Sequence, residues 1–469
     1  MNKYAIVMAA GKGSRMKSLD ESRSKVSYLI LNKPIVRYVI DAIKPIGFDK
    51  IVTIVGFGGE ITKSLVAHDT EVVWQKEQKG TGHAVMMAEP LLKDLEGSTL
   101  VVCGDTPLIK TETIEKLFLK HEKDHNKMTI LTSLLEHPDG YGRIVREEKT
   151  NNILAIKEDK DCNDDEKRIK EINTGIYVFD NKMLFSYLKN IKTNNAQHEY
   201  YLTDVVSMLV NDKLKVGGFI LEDPEEVFGI NDRFQLSYAQ KVIRKRVNKA
   251  LMLSGVSIED PNSTYISIDV KIGQDTIIHP NTTIYGDKTI GTNNEIGPNT
   301  YLENVMIGSD NKIISSHLVD TTIGNNNEIG PFTRTRGGTI IENNTRVGNF
   351  VEFKNVHIHN GVKSAHLTYL GDTEVGEKTN IGCMTVTANY DGYNKSRTTI
   401  GKNTFIGSGS ILVAPIEIKD NSFTAAGSTI TKAVEEDDLA IARARQVNLK
   451  NGSSKIKEKA RIKKEQSIK

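Results

Sequence analysis

Hydrophobic positions along the chain follow two different patterns. From residue 3 to about 230, short apolar runs such as "YAIVMAA", "KIVTIVGF", "TLVVCGD" and "MTILTSLL" alternate with longer stretches at helical spacing. Brief apolar runs separated by amphipathic segments predict a mostly parallel sheet covered by helices. The segment Asp232 to Leu253 contains no Gly or Pro and keeps its apolar residues at helical spacing, which predicts a connecting helix. After about Gly255 the texture changes. Ile272, Ile278, Ile284, Ile290, Ile296 and Leu302 recur every six residues, slip by one near Ile307 and Ile323, and resume as Ile400, Ile406, Leu412, Ile418, Thr424 and Ile430. Neither a helix nor an alternating strand has that period, whereas a hexapeptide β-helix does. Each hexapeptide forms one flat side of a triangular prism, its aliphatic residue inward and Gly, Asn or Asp at the corner. The expected organisation is therefore a domain over 1–231, a linker helix over 232–253, a β-helix over 254–435 and a basic tail over 436–469.

Two stretches read as excursions from the repeat. They are "RTRGGTIIENNTRVGNFVEFKNVHIHNGVKSAHLTYLGD", crowded with polar and basic residues, and the loop "TANYDGYNKSRTT". Loops on a rigid scaffold are where chemistry is expected.

Composition narrows the field. At 469 residues the chain exceeds one compact core, and 62 Lys plus Arg against 60 Asp plus Glu argue against nucleic acid as a bulk partner. Only the end from Lys450 to Lys469 is lopsided, with eight basic and two acidic residues, and it reads as solvated and poorly ordered. Cys103, Cys162 and Cys383 lie far apart without metal-ligand spacing, so neither a disulfide framework nor a zinc site is suggested. With no signal-like segment and no apolar run near the ~18 residues that span a bilayer, the expectation is a cytoplasmic protein without membrane insertion.

Candidate chemistry begins where the first strand breaks into "GKGSRM". Glycines admit a phosphate to the backbone, and Lys12, Arg15 and Lys25 supply charge. The loop lacks both the Walker ending and the third glycine of a dinucleotide fingerprint. "QKEQKGTGHA" adds a second glycine turn with an amide upstream to meet a base edge. Asp105 in "VVCGDTPL" follows a buried strand, at the end where open α/β sheets bind ligands, and suits a magnesium ion.

In combination, "AAGKGSRM", Lys25, "QKEQKGTGHA", "GDTPL", "GYGRI", "EINTG", "NAQHEYYLTD" and "GINDR", followed by hexapeptide repeats, resemble a bacterial family of bifunctional enzymes. Its members are N-acetylglucosamine-1-phosphate uridylyltransferases fused to glucosamine-1-phosphate acetyltransferases. The resemblance covers nearly the whole chain except the tail. It implies a Rossmann-like nucleotidyltransferase domain and a left-handed parallel β-helix, making UDP-N-acetylglucosamine for peptidoglycan and other envelope polysaccharides. By motif, it implies that Ala9, Ala10, Gly11 and Gly13, with the catalytic cations Arg15 and Lys25, hold the phosphates of UTP. Gln75, Gly80 and Thr81 would read uracil, and Gly142, Glu158, Asn173 and Thr174 would hold the amino sugar. Asp105 and Asn231 would bind Mg²⁺, with Asn231 also beside the sugar phosphate.

In the β-helix the same resemblance rests on "RTRGG", "NFVEFK", "SAHLTYLGD", "TNIGCMT" and "ANYDGYNK". Amine acetylation needs a base, for which His366 is the candidate, oriented by Glu352. Arg336, Lys354 and Lys395 would bind the sugar phosphate of glucosamine-1-phosphate, with Tyr369 and Asn380 positioning the sugar. Cys383, Asn389, Tyr390, Ser408, Ala426 and Arg443 would form the acetyl-coenzyme A wall, completed by neighbouring subunits of a homotrimer. Ser24 stands where the family has proline before Lys25, in a loop a few residues longer than usual. Cys103 replaces a frequent tyrosine, Gly337 a proline and Cys383 a small residue. Two other readings stand beside this one: a single-activity sugar-phosphate nucleotidyltransferase with a structural β-helix, and a non-enzymatic scaffold of the same folds.

Overall fold

The computed structural model describes residues 2–20 and 22–467. Two compact units meet in sequence at Lys249 and Ala250. In the first, the strand Lys3–Ala9 is flanked by Lys50–Val55 and Ser98–Cys103, all parallel, with Glu71–Trp74 beyond. On the other side Glu171–Asp180 runs antiparallel to both Ser98–Cys103 and Met128–Leu134, and Val216–Leu221 closes that edge in parallel. The sheet is thus mixed about one reversed strand. Tyr4 and Ile6 enter one hydrophobic core while Ala5, Val7 and Ala9 enter the other. Helices cover both faces, which explains why the parallel strands read as unbroken apolar runs.

The helix Arg233–Leu253 buries Ala239, Val242, Ile243 and Val247. Arg246 Nη1 donates to the Leu108 carbonyl at 2.7 Å, Arg233 Nε to the Met16 carbonyl at 3.1 Å, and Tyr238 to Glu225 Oε1 at 2.8 Å. Most of its length therefore packs on the first unit.

The second unit is a left-handed parallel β-helix. Ile284 pairs with Leu302 and Ile406 with Thr424, eighteen residues apart, so three hexapeptides make one coil. The slips at Ile307 and Ile323 are coils shortened to 17 and 16 residues, because Ile290 pairs with Ile307 and Ile307 with Ile323. The loop in "TANYDGYNKSRTT" is a true insertion, since Thr373 pairs with Thr398 across 25 residues. The stretch from Arg334 to Asp372 is not an excursion. Thr333 pairs with Val351 and Val351 with Thr368, and the prism continues with Thr333, Val351, Phe353, Thr368 and Leu370 buried inside it. The six-residue signal faded there because the interior is filled by Thr, Val, Phe and Leu instead of Ile.

Corner residues take the left-handed conformation, and most are Asn or Asp, whose short side chains tolerate it. One corner differs. Phe332, Phe350, Leu367 and Met384 occupy it in successive coils with φ of 59°, 58°, 36° and 63°. The tail also departs from expectation: Gly452–Gln466 is an α-helix with no buried residue. Lys, Glu, Ala and Arg are good helix formers, and Arg461 bonds Glu458 at 3.0 Å within it. The last two residues of the predicted tail lie outside the described ones.

Candidate active sites

In the first unit, loops leaving the carboxyl ends of Lys3–Ala9, Glu71–Trp74 and Ser98–Cys103 surround a cleft of about 250 Å³. Ala9, Ala10, Gly11, Lys25, Gln75, Gly80, Thr81 and Asp105 all line it, as do Cys103, Gln78 and Glu199. Gly80 sits at φ +104°, and a Cβ there would lie 2.7 Å from the Tyr200 carbonyl, so this turn requires glycine. Gly13, outside the cleft, is equally constrained, because a Cβ would meet Lys25 Cβ at 2.7 Å.

Charge is concentrated on one knot. The Lys25 ammonium bonds Asp105 Oδ2 and also donates to Asn231 Oδ1 at 3.1 Å, while Arg15 Nη2 donates to the same Asn231 oxygen at 2.9 Å. Ser24 does not disturb this arrangement. Its φ of −75° is close to what proline would impose, and its hydroxyl, buried, lies 2.6 Å from that of Thr62. Burial, aided by the charge of Asp105, pushes the Cys103 thiol up to about 12, so the residue replacing tyrosine is an inert neutral group.

The proposed sugar residues lie along the sheet beside this cleft. Asn173 donates its backbone N–H to the Gly142 carbonyl at 2.8 Å and its amide to the Tyr177 hydroxyl at 2.8 Å. Thr174 gives its hydroxyl to the Leu131 carbonyl at 2.6 Å. Burial raises the Glu158 carboxyl, with Asp161, Asp204 and Asp159 adding to it, although the Thr203 hydroxyl donates to Glu158 at 2.9 Å. Gln78, Tyr141 and Glu199 lie inside the motifs "QKEQKGTGHA", "GYGRI" and "NAQHEYYLTD" but carry no local signal that sets them apart from their neighbours. Gln78 donates to the Ala10 carbonyl at 2.7 Å, bracing the phosphate loop. Tyr141 has its phenol held up by burial and by nearby Asp105.

In the second unit the register aligns residues that sequence alone left scattered. His366 stands opposite Asn349, immediately before the left-handed Leu367. Cys383, Ser408 and Ala426 hold the equivalent place in the next coils, immediately before Met384, Gly409 and Gly427. One column of the prism thus carries the imidazole followed by three small residues, and Arg443 Nη1 donates to the Ala426 carbonyl at 2.9 Å at its end. The His366 side chain is exposed and has no bonded partner among the described residues.

Glu352 makes no bond to His366 among the described residues. It pairs with Arg336 at 2.6 Å, because the register sets the Arg334–Arg336 strand directly beside Glu352 and Lys354. Lys354 and Lys395 adjoin. The Lys395 amine, hydrogen-bonded to it, holds Lys354 below the usual lysine range, a like-charge contact that an anion would relieve. Asn389 donates to Asp372 Oδ2 at 2.6 Å and Tyr390 to the Gly392 carbonyl at 2.5 Å, which shapes the inserted loop. Tyr369 and Asn389 both crowd Gly371, where a Cβ would lie 2.6 Å from the Tyr369 hydroxyl. Asn380 pairs with Phe405 one coil on. A Cβ on Gly337 meets nothing within 4 Å, so the absent proline leaves open space.

Residues 4–225 match the nucleotidyl transferase family, and residues 269–304, 320–355 and 397–432 match the bacterial transferase hexapeptide family of six repeats. Together with the cleft and the prism, these matches define a two-part transferase. The bifunctional protein GlmU of Geobacillus sp. (strain WCH70) is 45% identical over 96% of this chain and 97% of its own length. Those of Streptococcus thermophilus (strain CNRZ 1066) and Staphylococcus haemolyticus (strain JCSC1435) are 46% and 45% identical over 96% and 95% of this chain and 96% and 98% of their own. The chain belongs to the bifunctional GlmU family. No helix among the described residues is long and apolar enough to cross a membrane.

Proposed function

We propose that this chain performs two successive transfers to one amino-sugar phosphate. Residues 254–435 acetylate glucosamine-1-phosphate from acetyl-coenzyme A. Residues 1–231 then move uridylyl from UTP to the N-acetylglucosamine-1-phosphate so formed and release pyrophosphate. The helix over 232–253 connects the two parts, the protein works in the cytoplasm, and its product feeds cell-envelope polysaccharides.

In the first transfer the sugar amine attacks the thioester carbonyl, forming the N–C bond as the C–S bond breaks. His366 removes the amine proton and the thiolate leaves. Arg336, Lys354 and Lys395 fix the phosphate, Glu352 holding Arg336 in place, while Tyr369 and Asn380 orient the ring. Cys383, Ser408 and Ala426 leave room beside His366 for a pantetheine arm, with Asn389, Tyr390 and Arg443 around it.

In the second transfer a sugar-phosphate oxygen attacks the α-phosphorus of UTP, and the bond to the β-phosphate oxygen breaks. Positioning and charge neutralisation carry most of such a reaction. The Ala9–Gly13 loop, Arg15 and Lys25 supply both, Gln75, Gly80 and Thr81 seat the base, and Gly142, Glu158, Asn173 and Thr174 seat the amino sugar. The oxygens of Asp105 and Asn231 converge from two chain segments on the Lys25 ammonium, and a hard cation suits such a donor pair. Mg²⁺ held there would neutralise phosphate charge.

The column bearing His366 supports a homotrimer. Phe332, Phe350, Leu367 and Met384 are each at least half exposed in a backbone conformation that bulky residues avoid, and the two Phe rings stack at 5.0 Å. A neighbouring copy would cover this ridge and complete the acetyl-coenzyme A site beside it.

The observation that carries the reading is the coexistence of the Lys25–Asp105–Asn231 knot and the His366 column in one chain. A purely structural β-helix has no use for the second. The test is to incubate the protein with glucosamine-1-phosphate, acetyl-coenzyme A, UTP and Mg²⁺, omitting each in turn. UDP-N-acetylglucosamine should require all four, and its formation without acetyl-coenzyme A would refute the first transfer.

A further inference from the structure

Away from these residues, the prism gathers two histidines and a glutamate whose ligating atoms all lie within 4.8 Å of one another: His357, His359 and Glu342. Strand geometry brings them together. Val356 and Ile358 point into the core, so His357 and His359, two residues apart, share the outward face. The next coil register, Ile341 opposite Ile358, sets Glu342 beside His359. Glu342 Oε1 then lies 2.9 Å from both His357 Nε2 and His359 Nδ1, and the two rings stack at 4.0 Å.

The far nitrogen of His359 is also held. Its Nε2 lies 3.1 Å from Glu374 Oε1, and Arg397 bonds the other oxygen of Glu374 at 2.5 Å. A carboxylate on the distal nitrogen, fixed in turn by a cation, is how metal-binding imidazoles are commonly oriented. All four residues are half-buried, and an open cavity of about 400 Å³ reaches His357 and Arg397. The Arg397 charge is matched by Glu374, which leaves Glu342 to balance a cation.

We propose that Glu342, His357 and His359 form a Zn²⁺ site, with Glu374 as a positioning residue. Two imidazole nitrogens, which are borderline donors, beside one carboxylate oxygen make a set that suits Zn²⁺ and not Mg²⁺, with a fourth position open to water. The ion would sit where His357 Nε2 and His359 Nδ1 face Glu342, leaving His359 Nε2 to bond Glu374. The site ties two coils together and, through Glu374 and Arg397, anchors the inserted loop that holds Asn389 and Lys395. Its existence does not depend on the functional reading above.

The test is calorimetric titration of the full-length protein with Zn²⁺ in millimolar Mg²⁺, together with Co²⁺ absorption spectroscopy. The expectation is one Zn²⁺ per chain with Kd below about 10 µM, and intense visible Co²⁺ bands of a four-coordinate ion. His357→Ala with His359→Ala should abolish both signals, Glu342→Gln should weaken binding at least tenfold, and Glu374→Gln by about 10–100-fold. Circular dichroism and uridylyl transfer of the same variants serve as folding controls. Absence of Zn²⁺ binding, or binding unchanged in the folded double variant, would overturn the proposal.

Discussion

The two candidate sites are built in opposite ways. In the sheet unit, loops from distant parts of the sequence bend over the strand ends and tie their charges to each other, so that Arg15, Lys25, Asp105 and Asn231 form one bonded knot. In the β-helix, the proposed residues stand in rows on a flat surface. His366 has no bonded partner among the described residues, and Lys354 faces another cation. The first set has its polar groups bonded within one chain, with Asp105 offsetting one of the two cations. The second is open and carries a like-charge contact, which under the proposed function an anion would relieve and a neighbouring copy would cover.

This contrast can be broken or sharpened by substitution. The largest effect is expected for His366→Ala, which should lower acetyl transfer by about 10²–10⁴-fold, the usual contribution of general base catalysis, and leave uridylyl transfer to supplied N-acetylglucosamine-1-phosphate intact. An acetylation rate equal to the parent's would remove the histidine from the mechanism. Asp105→Ala should do the converse, lowering uridylyl transfer by about 10²–10³-fold while acetyl transfer continues. Were both rates to fall together, Asp105 would belong to folding and not to one site. Smaller is Lys354→Met, expected to raise KM for glucosamine-1-phosphate by about tenfold with little change in kcat, as loss of uniform binding does.

The smallest effect concerns stability alone. Burial holds His121 down to about 4, against the pull of Asp180, with its Nδ1 3.0 Å from the Thr129 hydroxyl. The folded value lies below the unfolded one, so the stabilisation is present above pH ~6.5 and is lost as pH falls from there toward 4. Thermal melts of the parent across that window should decline more steeply than those of His121→Gln. Parallel curves would show that the imidazole is not what titrates.

What could be read in advance depended on whether a feature was local. Ile272 to Leu302 announced the coils because one residue in six must face the core, and Asp105 pointed to the cleft it lines because a carboxylate follows a buried strand. Residues 334–372 read as an excursion from sequence alone but continue the prism, since Thr and Phe can fill it as Ile does. The pairing of Glu352 with Arg336 and the meeting of Glu342 with His357 and His359 depend on coil registers of 17 and 18 residues, which no local pattern encodes. The column behind His366 was legible only as separate residues until the coils were stacked.

The measurement that bears most directly on the contrast uses residues outside both sets of proposed substrate contacts. Phe332→Glu with Phe350→Glu should charge the stacked ridge at the corner and separate the copies. Sedimentation would give the mass of each species, and both half-reactions would be assayed on the same fractions. The account predicts a monomer that uridylylates at the parent rate and has lost acetyl transfer. A monomer that acetylates as fast as the parent would contradict it.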